Sequence, residues 1–125
     1  MMTANAYQQY KNQSINTMTG GELLIMLYDE LIKRVKQAEM AIDSQKAETA
    51  NDSLQRAQDI IQYLMATLDD QYEIAKSLRA LYDFFYTQLV KANINKDAEI
   101  LRELLPMLIE LRGAWKEADK LSHQR

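Results

Sequence analysis

A chain of 125 residues with 47% hydrophobic side chains and a net charge of −3 carries enough apolar material for one core. The absence of cysteine excludes disulfides, zinc-thiolate centres and thiol nucleophiles, and three glycines with one proline point to an all-helical protein. Acidic and basic residues are interspersed, without the basic stripe that tracks a phosphate backbone.

Residues 1–18 read as an arm rich in Asn, Gln, Ser and Thr, with Lys11 as its one charge. Tyr7, Tyr10, Ile15 and Met18 are scattered through it. Solvated tails are poor in aromatics, which favours docking of these side chains; the alternative is a frayed terminus with two incidental tyrosines. The N-terminus has neither the basic region nor the apolar core of a signal peptide. The longest apolar run, Leu23 to Tyr28, is far too short to span a bilayer, and the expected location is the cytoplasm.

The rest of the chain is organised around the stretch Thr19 to Ile42. Thr19 and Glu22 have capping-box spacing, and Met18 and Leu23 stand where a hydrophobic staple would sit. A helix is expected over about Gly20–Asp43, with a seam of Leu24, Tyr28, Leu31, Val35, Ala38 and Ile42. Leu23, Ile25, Leu27, Ile32 and Ala41 widen its apolar arc to roughly 200°, about twice a minimal core-facing stripe. Something beyond one seam must cover that surface.

A second helix is expected from about Glu48 to Leu68, on Ala50, Leu54, Ala57, Ile61, Leu64 and Leu68. Asp70, with Glu73 three residues on, has the pattern of an N-cap for a third helix over about Gln71–Ala92. Ile74, Leu78, Leu81, Phe85, Leu89 and Ala92 form its predicted seam, flanked by Ala75, Tyr82 and Tyr86. Asn93 or Asn95 is expected to take the left-handed conformation at its end. A fourth helix, about Asp97 to Leu121, has one stripe through Leu101, Leu104, Leu108, Leu111, Trp115 and Ala118. Ala98, Leu105 and Ile109 add a second. Pro106 lies inside it and predicts a kink or a division into two helices.

Short connectors between helices of this length give antiparallel neighbours. The expected organisation is an arm over 1–18, an antiparallel four-helix bundle over 19–121 and a frayed tail over 122–125. No repeat of 20–50 residues signals a solenoid.

Catalysis is not expected. The only histidine, His123, lies in the tail, which removes the usual general base and the Ser-His arrangement. Di-metal bundles need inward Glu-x-x-His motifs, and none occurs, so neither metal nor cofactor is anticipated. The surplus apolar arcs of the first and fourth helices have three candidate covers: the arm, a second copy of the chain, or a foreign amphipathic helix. Self-association as a structural or regulatory adaptor is the alternative to partner binding.

Several separated segments resemble the flagellin-specific export chaperones of the FliS family. They include Tyr10, Leu23-Leu-Ile-Met-Leu-Tyr-Asp29, Ala57-Gln-Asp-Ile-Ile61 with Leu64 and Leu68-Asp69, and Ile74-Ala75. Leu81-Tyr82-Asp83, Leu89, Ala92-Asn93, Asp97 and Ala114-Trp115 complete the ordered set, which covers about residues 7–118. Gly20 stands where the family often has proline, Glu30 where it often has glycine, and Gln71-Tyr72-Glu73 where it often has a Gly-Gly turn.

The resemblance implies a cytoplasmic bundle that holds the C-terminal amphipathic helices of flagellin extended around its surface. That would prevent premature polymerisation and present the subunit to the export apparatus. It also implies an arm that folds over the empty groove until cargo displaces it. Tyr7, Tyr10 and Ile15 are the arm residues expected to compete with cargo. Ile25, Tyr28, Ile32, Tyr82, Tyr86, Leu101, Leu105 and Ile109, which flank the seams, are the expected groove. Other flagellar regulators and a cargo-free homodimer are further candidate partners.

Overall fold

The computed structural model describes residues 20–123, which form α1 (Gly20–Asp43), α2 (Ala47–Ala66), α3 (Ile74–Asn95) and α4 (Ala98–His123). The expected arm, the capping box at Thr19 and the staple at Met18 lie outside the described residues. Short connectors over 44–46, 67–73 and 96–97 reverse the chain each time. Helix α1 packs on α2 and α4, α2 packs on α3, and α3 packs on α4. The helices therefore close a ring, the antiparallel bundle that the sequence predicts.

The core follows the helical spacing. Helix α1 buries Tyr28, Leu31, Val35 and Ala38, while α3 buries Tyr82, Phe85, Leu89 and Ala92. The two sets are offset by the 54 positions that separate the hydrogen-bonded pair Tyr28 and Tyr82. Leu27-Tyr28-Asp29 recurs as Leu81-Tyr82-Asp83. In the other two helices, Ala50, Ser53, Leu54 and Ala57 share their spacing with Leu101, Leu104, Leu105 and Leu108. Hairpin α3–α4 thus repeats hairpin α1–α2, a longer period than any solenoid unit.

On the bundle axis the Tyr28 and Tyr82 hydroxyls lie 2.7 Å apart. One phenol donates to the other, so both oxygens share a hydrogen bond where no water reaches. Removing one hydroxyl leaves the other unpaired, so Tyr28→Phe is expected to cost about 1–2 kcal/mol. The double replacement with Tyr82→Phe should cost less than the sum of the singles, a coupling that denaturant melts of the four variants would measure. Burial raises the pKa of both phenols above the ordinary 10.0. The unfolded chain then releases these protons first, so stability is complete below pH 10 and falls as pH rises above it. Melts between pH 9 and 11 should show that loss (about a 2-unit window around the free phenol), blunted in the double phenylalanine variant.

The structure shifts several sequence boundaries. Helix α3 begins at Ile74 instead of near Gln71, because Asp69, not Asp70, receives the turn amide: Gln71 N donates to Asp69 Oδ1 at 3.0 Å. Asp70 pairs with Arg79 at 2.8 Å. The left-handed residue after α3 is Lys96, with φ 49°, and not an asparagine. Its Nζ folds back to donate to Asn93 O and Oδ1, which holds Asn93 in the helix. Helix α2 ends at Ala66, where the Thr67 hydroxyl donates to Leu64 O.

Pro106 does not divide α4, which runs as one helix through Ser122 and His123, two residues past the expected end. The ring faces solvent, so water can reach the Arg102 carbonyl that loses its donor. Gly21 allows a close approach at the other end of the fold. A Cβ there would collide with the Asp119 carboxylate of α4.

Candidate partner-binding surface

A ring of four helices has four grooves, and their linings decide what each can hold. Along α1–α4 the groove is bridged by charge. Arg112 pairs with Asp29 at 2.7 Å, and Arg102 meets Glu39, Asp43 and Glu99 at 2.6–3.1 Å. These carboxylates raise the pKa of both guanidiniums. The ion pairs are solvated and screened by salt, so they align the helices more than they stabilise them. Between α2 and α3, Gln62 donates to the Tyr86 hydroxyl at 3.4 Å and Asn93 to Asn51 Oδ1 at 2.8 Å.

The groove between α3 and α4 is different. Leu81, Met107, Leu111 and Ala114 line a cleft of about 270 Å³ over the buried ring of Phe85, with Glu110 as its one charge. Met107 is 39% exposed, and Phe84 beside the groove is 44% exposed. Such a cleft takes protruding side chains of a partner and is small for a drug-sized ligand.

An end cavity of similar volume, about 270 Å³, lies where α1 begins and α4 nears its end. Leu24, Leu64, Leu68 and Trp115 line it, with the exposed Tyr72 and Ile74 at its rim. Gly20, from which the arm departs, is part of the same lining. Trp115 Nε1 is buried near the Tyr28 hydroxyl, whose ionised form it favours, and makes no hydrogen bond of ordinary geometry among the described residues.

The residues that the sequence singles out do not form one wall. Tyr28, Tyr82, Leu101 and Leu105 are buried in the core, where they meet other helices, and Tyr82 also lines the end cavity. Their flanking positions follow from treating each helix as having a single seam, whereas a helix in a closed ring contacts two neighbours. Ile25 lines a cleft of about 400 Å³ with Met26, Asp29 and Lys116 between α1 and α4. Ile32 and Tyr86 are half-buried against the core, on corresponding positions of α1 and α3, and Ile109 is 48% exposed on α4. Tyr7, Tyr10 and Ile15 lie outside the described residues.

Met107, Leu81, Leu111 and Ala114, which line the α3–α4 cleft, are not among the groove residues expected from the sequence. Phe84 carried a signal: a phenylalanine next to the seam residue Phe85, one helical step off the core.

No helix among the described residues is long and apolar enough to cross a membrane, and no group of His, Cys, Asp and Glu among them is placed to hold a metal. The fold is an antiparallel four-helix bundle with an apolar cleft between α3 and α4. The sequence places it further. Residues 3–122 match the family described as flagellar protein FliS, and the chain belongs to that family.

Over 118 residues it is 41% identical to the flagellar secretion chaperone FliS of Bacillus subtilis, covering 94% of this chain and 89% of that one. With the flagellar secretion chaperone FliS of Salmonella typhimurium the identity is 28% over 124 residues, 94% and 92% of the two chains. A solved crystal structure of a flagellar chaperone from bacteria superposes with a TM-score of 0.77. It covers 94% of this chain and 98% of that one at 19% identity, a likeness of fold.

Proposed function

We propose that the protein is a cytoplasmic flagellar secretion chaperone, not an enzyme, which holds the C-terminal amphipathic helices of flagellin until export. The observation that carries this reading is the apolar α3–α4 groove over Phe85. A cargo helix would seat an i, i+3, i+4, i+7 stripe there, hiding the surface that otherwise packs in the filament. Leu81, Met107 and Leu111 are the anchors; Ile25, Ile32, Tyr86 and Ile109 lie on other faces that an extended cargo could reach. Tyr28, Tyr82, Leu101 and Leu105 support the walls from within.

In the absence of cargo, the arm residues Tyr7, Tyr10 and Ile15 would occupy apolar surface. The end cavity is the nearest, because Gly20 lines it together with the apolar side chains of Leu24, Leu64, Leu68 and Trp115. Cargo would then displace the arm, and the loaded bundle would be presented to the export apparatus.

Calorimetry tests the reading. Full-length flagellin should bind with 1:1 stoichiometry and a negative heat-capacity change, the mark of apolar burial. Flagellin lacking its C-terminal segment should give no heat. Equal binding by the two would overturn the proposed site, and a tight homodimer indifferent to flagellin would favour an adaptor.

A further inference from the structure

Of the seven methionines, Met1, Met2 and Met18 lie outside the described residues. Met26 and Met65 are half-buried, whereas Met107 is 39% exposed and Met40 is 69% exposed. The two exposed thioethers sit in different surroundings. Met40 lines a cleft of about 450 Å³ between α1 and α2, on the opposite side of the ring from the cargo groove. Gln37, Ser44, Lys46 and Thr49 line the same cleft and bring amide, hydroxyl and ammonium donors to it. Met107 lines the α3–α4 groove with Leu81, Phe85, Glu110, Leu111 and Ala114. None of those side chains donates: four are hydrocarbon, and the carboxylate oxygens of Glu110 accept. The backbone amides there are already bonded within the helices.

That difference matters for one reaction of an exposed thioether. Its sulfur attacks an oxygen of a peroxide, an S–O bond forms and the O–O bond breaks. The sulfur loses two electrons to become a sulfoxide, and hydrogen peroxide is reduced to water. The product replaces a soft apolar tip with a strong hydrogen-bond acceptor. On the free chain, solvent hydrates that oxygen at either methionine. A helix seated in the α3–α4 groove strips this water from Met107, and neither the groove nor an apolar stripe offers a donor in exchange. The oxygen is then buried unpaired, which weakens the complex while leaving the bundle itself intact.

We propose that Met107 is a reversible oxidation site for peroxides, whose sulfoxide closes the α3–α4 groove to an amphipathic helix. Met40 takes up the same oxygen without effect on that groove. Methionine sulfoxide reductases return the thioether, so binding is regained once the oxidant is gone. The identity of the excluded helix rests on the flagellin reading above.

The test oxidises the full chain with dilute hydrogen peroxide, removes the peroxide, and locates the added oxygens by mass spectrometry before flagellin is titrated calorimetrically. Affinity should fall about thirtyfold on oxidation in the native chain and in Met40→Leu, the effect of one buried unpaired acceptor. In Met107→Leu the affinity, whatever its starting value, should be the same before and after peroxide. Treatment with the reductases for both sulfoxide epimers should restore the native value. Bound flagellin should slow the oxidation of Met107 and leave that of Met40 unchanged. An affinity that survives oxidation of Met107, falls equally in Met107→Leu, or is not restored by reduction would overturn this proposal alone. Failure of flagellin to bind the untreated chain would overturn the cargo reading and this proposal with it.

Discussion

Replacing Met107 and Leu111 with glutamate is expected to weaken flagellin binding about a hundredfold, roughly 2.7 kcal/mol, while leaving the bundle folded. The two residues are the α4 wall of the apolar groove, and Met107 is 39% exposed while Leu111 is only partly buried. Charge at these positions costs the free protein little, because both can stay hydrated. It costs the complex much more, because a seated cargo helix would desolvate two carboxylates without pairing them. Calorimetric titration of the double variant measures the loss, with the melting profile as the control for folding. A loss below about threefold would remove the α3–α4 groove from the account, since central anchors cost far more when lost.

The second large effect is on stability. Phe85→Ala should cost about 3–5 kcal/mol, a large share of the 5–15 kcal/mol that holds a domain of this size. Phe85 is fully buried and lies in tilted contact with Tyr82 and Phe84, at centroid distances of 6.4 and 6.1 Å. Truncation leaves a cavity lined by rings that are fixed elsewhere, Tyr82 by its bond to Tyr28, so collapse around it is limited. Urea unfolding should show a lower midpoint with an unchanged slope. Because Phe85 also floors the groove, this variant should bind cargo more weakly even well below its melting point. A cost under 1 kcal/mol would mean that the core does not depend on this ring (the usual range for Phe→Ala starts near 3).

How much of this was legible depends on where each constraint resides. The limits of α1 and the buried sets of α1 and α2 are local matters of spacing, and Leu31, Val35, Leu54 and Ile61 fall where periodicity places them. The phase of α3 was not local. Leu81 and Tyr82 are one helical step apart, and both continue a stripe through Leu78 and Phe85. Tyr82 turns inward to a hydroxyl partner 54 residues away and Leu81 becomes a groove wall, while Ile74, the first residue of α3, is 58% exposed at the helix end. A side chain with a polar tip looks like an edge residue until its partner is known.

The binding surface was harder to see than the core for a related reason. From the sequence alone, the surplus apolar arc on α1 is expected to be covered by the arm, a second copy or a foreign helix, whereas in a closed ring much of it is covered by α2 and α4. Tyr28, Leu101 and Leu105 belong to that share. The groove exists only where two helices leave a gap, and Met107 and Ala114 acquire a role by standing opposite Leu81. Single-helix periodicity contains no such information. The repeat of Leu-Tyr-Asp was visible in the chain, but its meaning, two comparable hairpins, required the packed structure.

A cargo helix lying in the α3–α4 groove is the central claim. The chain has no cysteine, so Met107→Cys and Met40→Cys each provide a unique thiol, one on each side of the ring. Under mild oxidation, with flagellin carrying one cysteine in the apolar stripe of its C-terminal segment, Met107→Cys should form the mixed disulfide and Met40→Cys should not. Cross-linking through Met40→Cys alone, or equal cross-linking of both, would contradict the account.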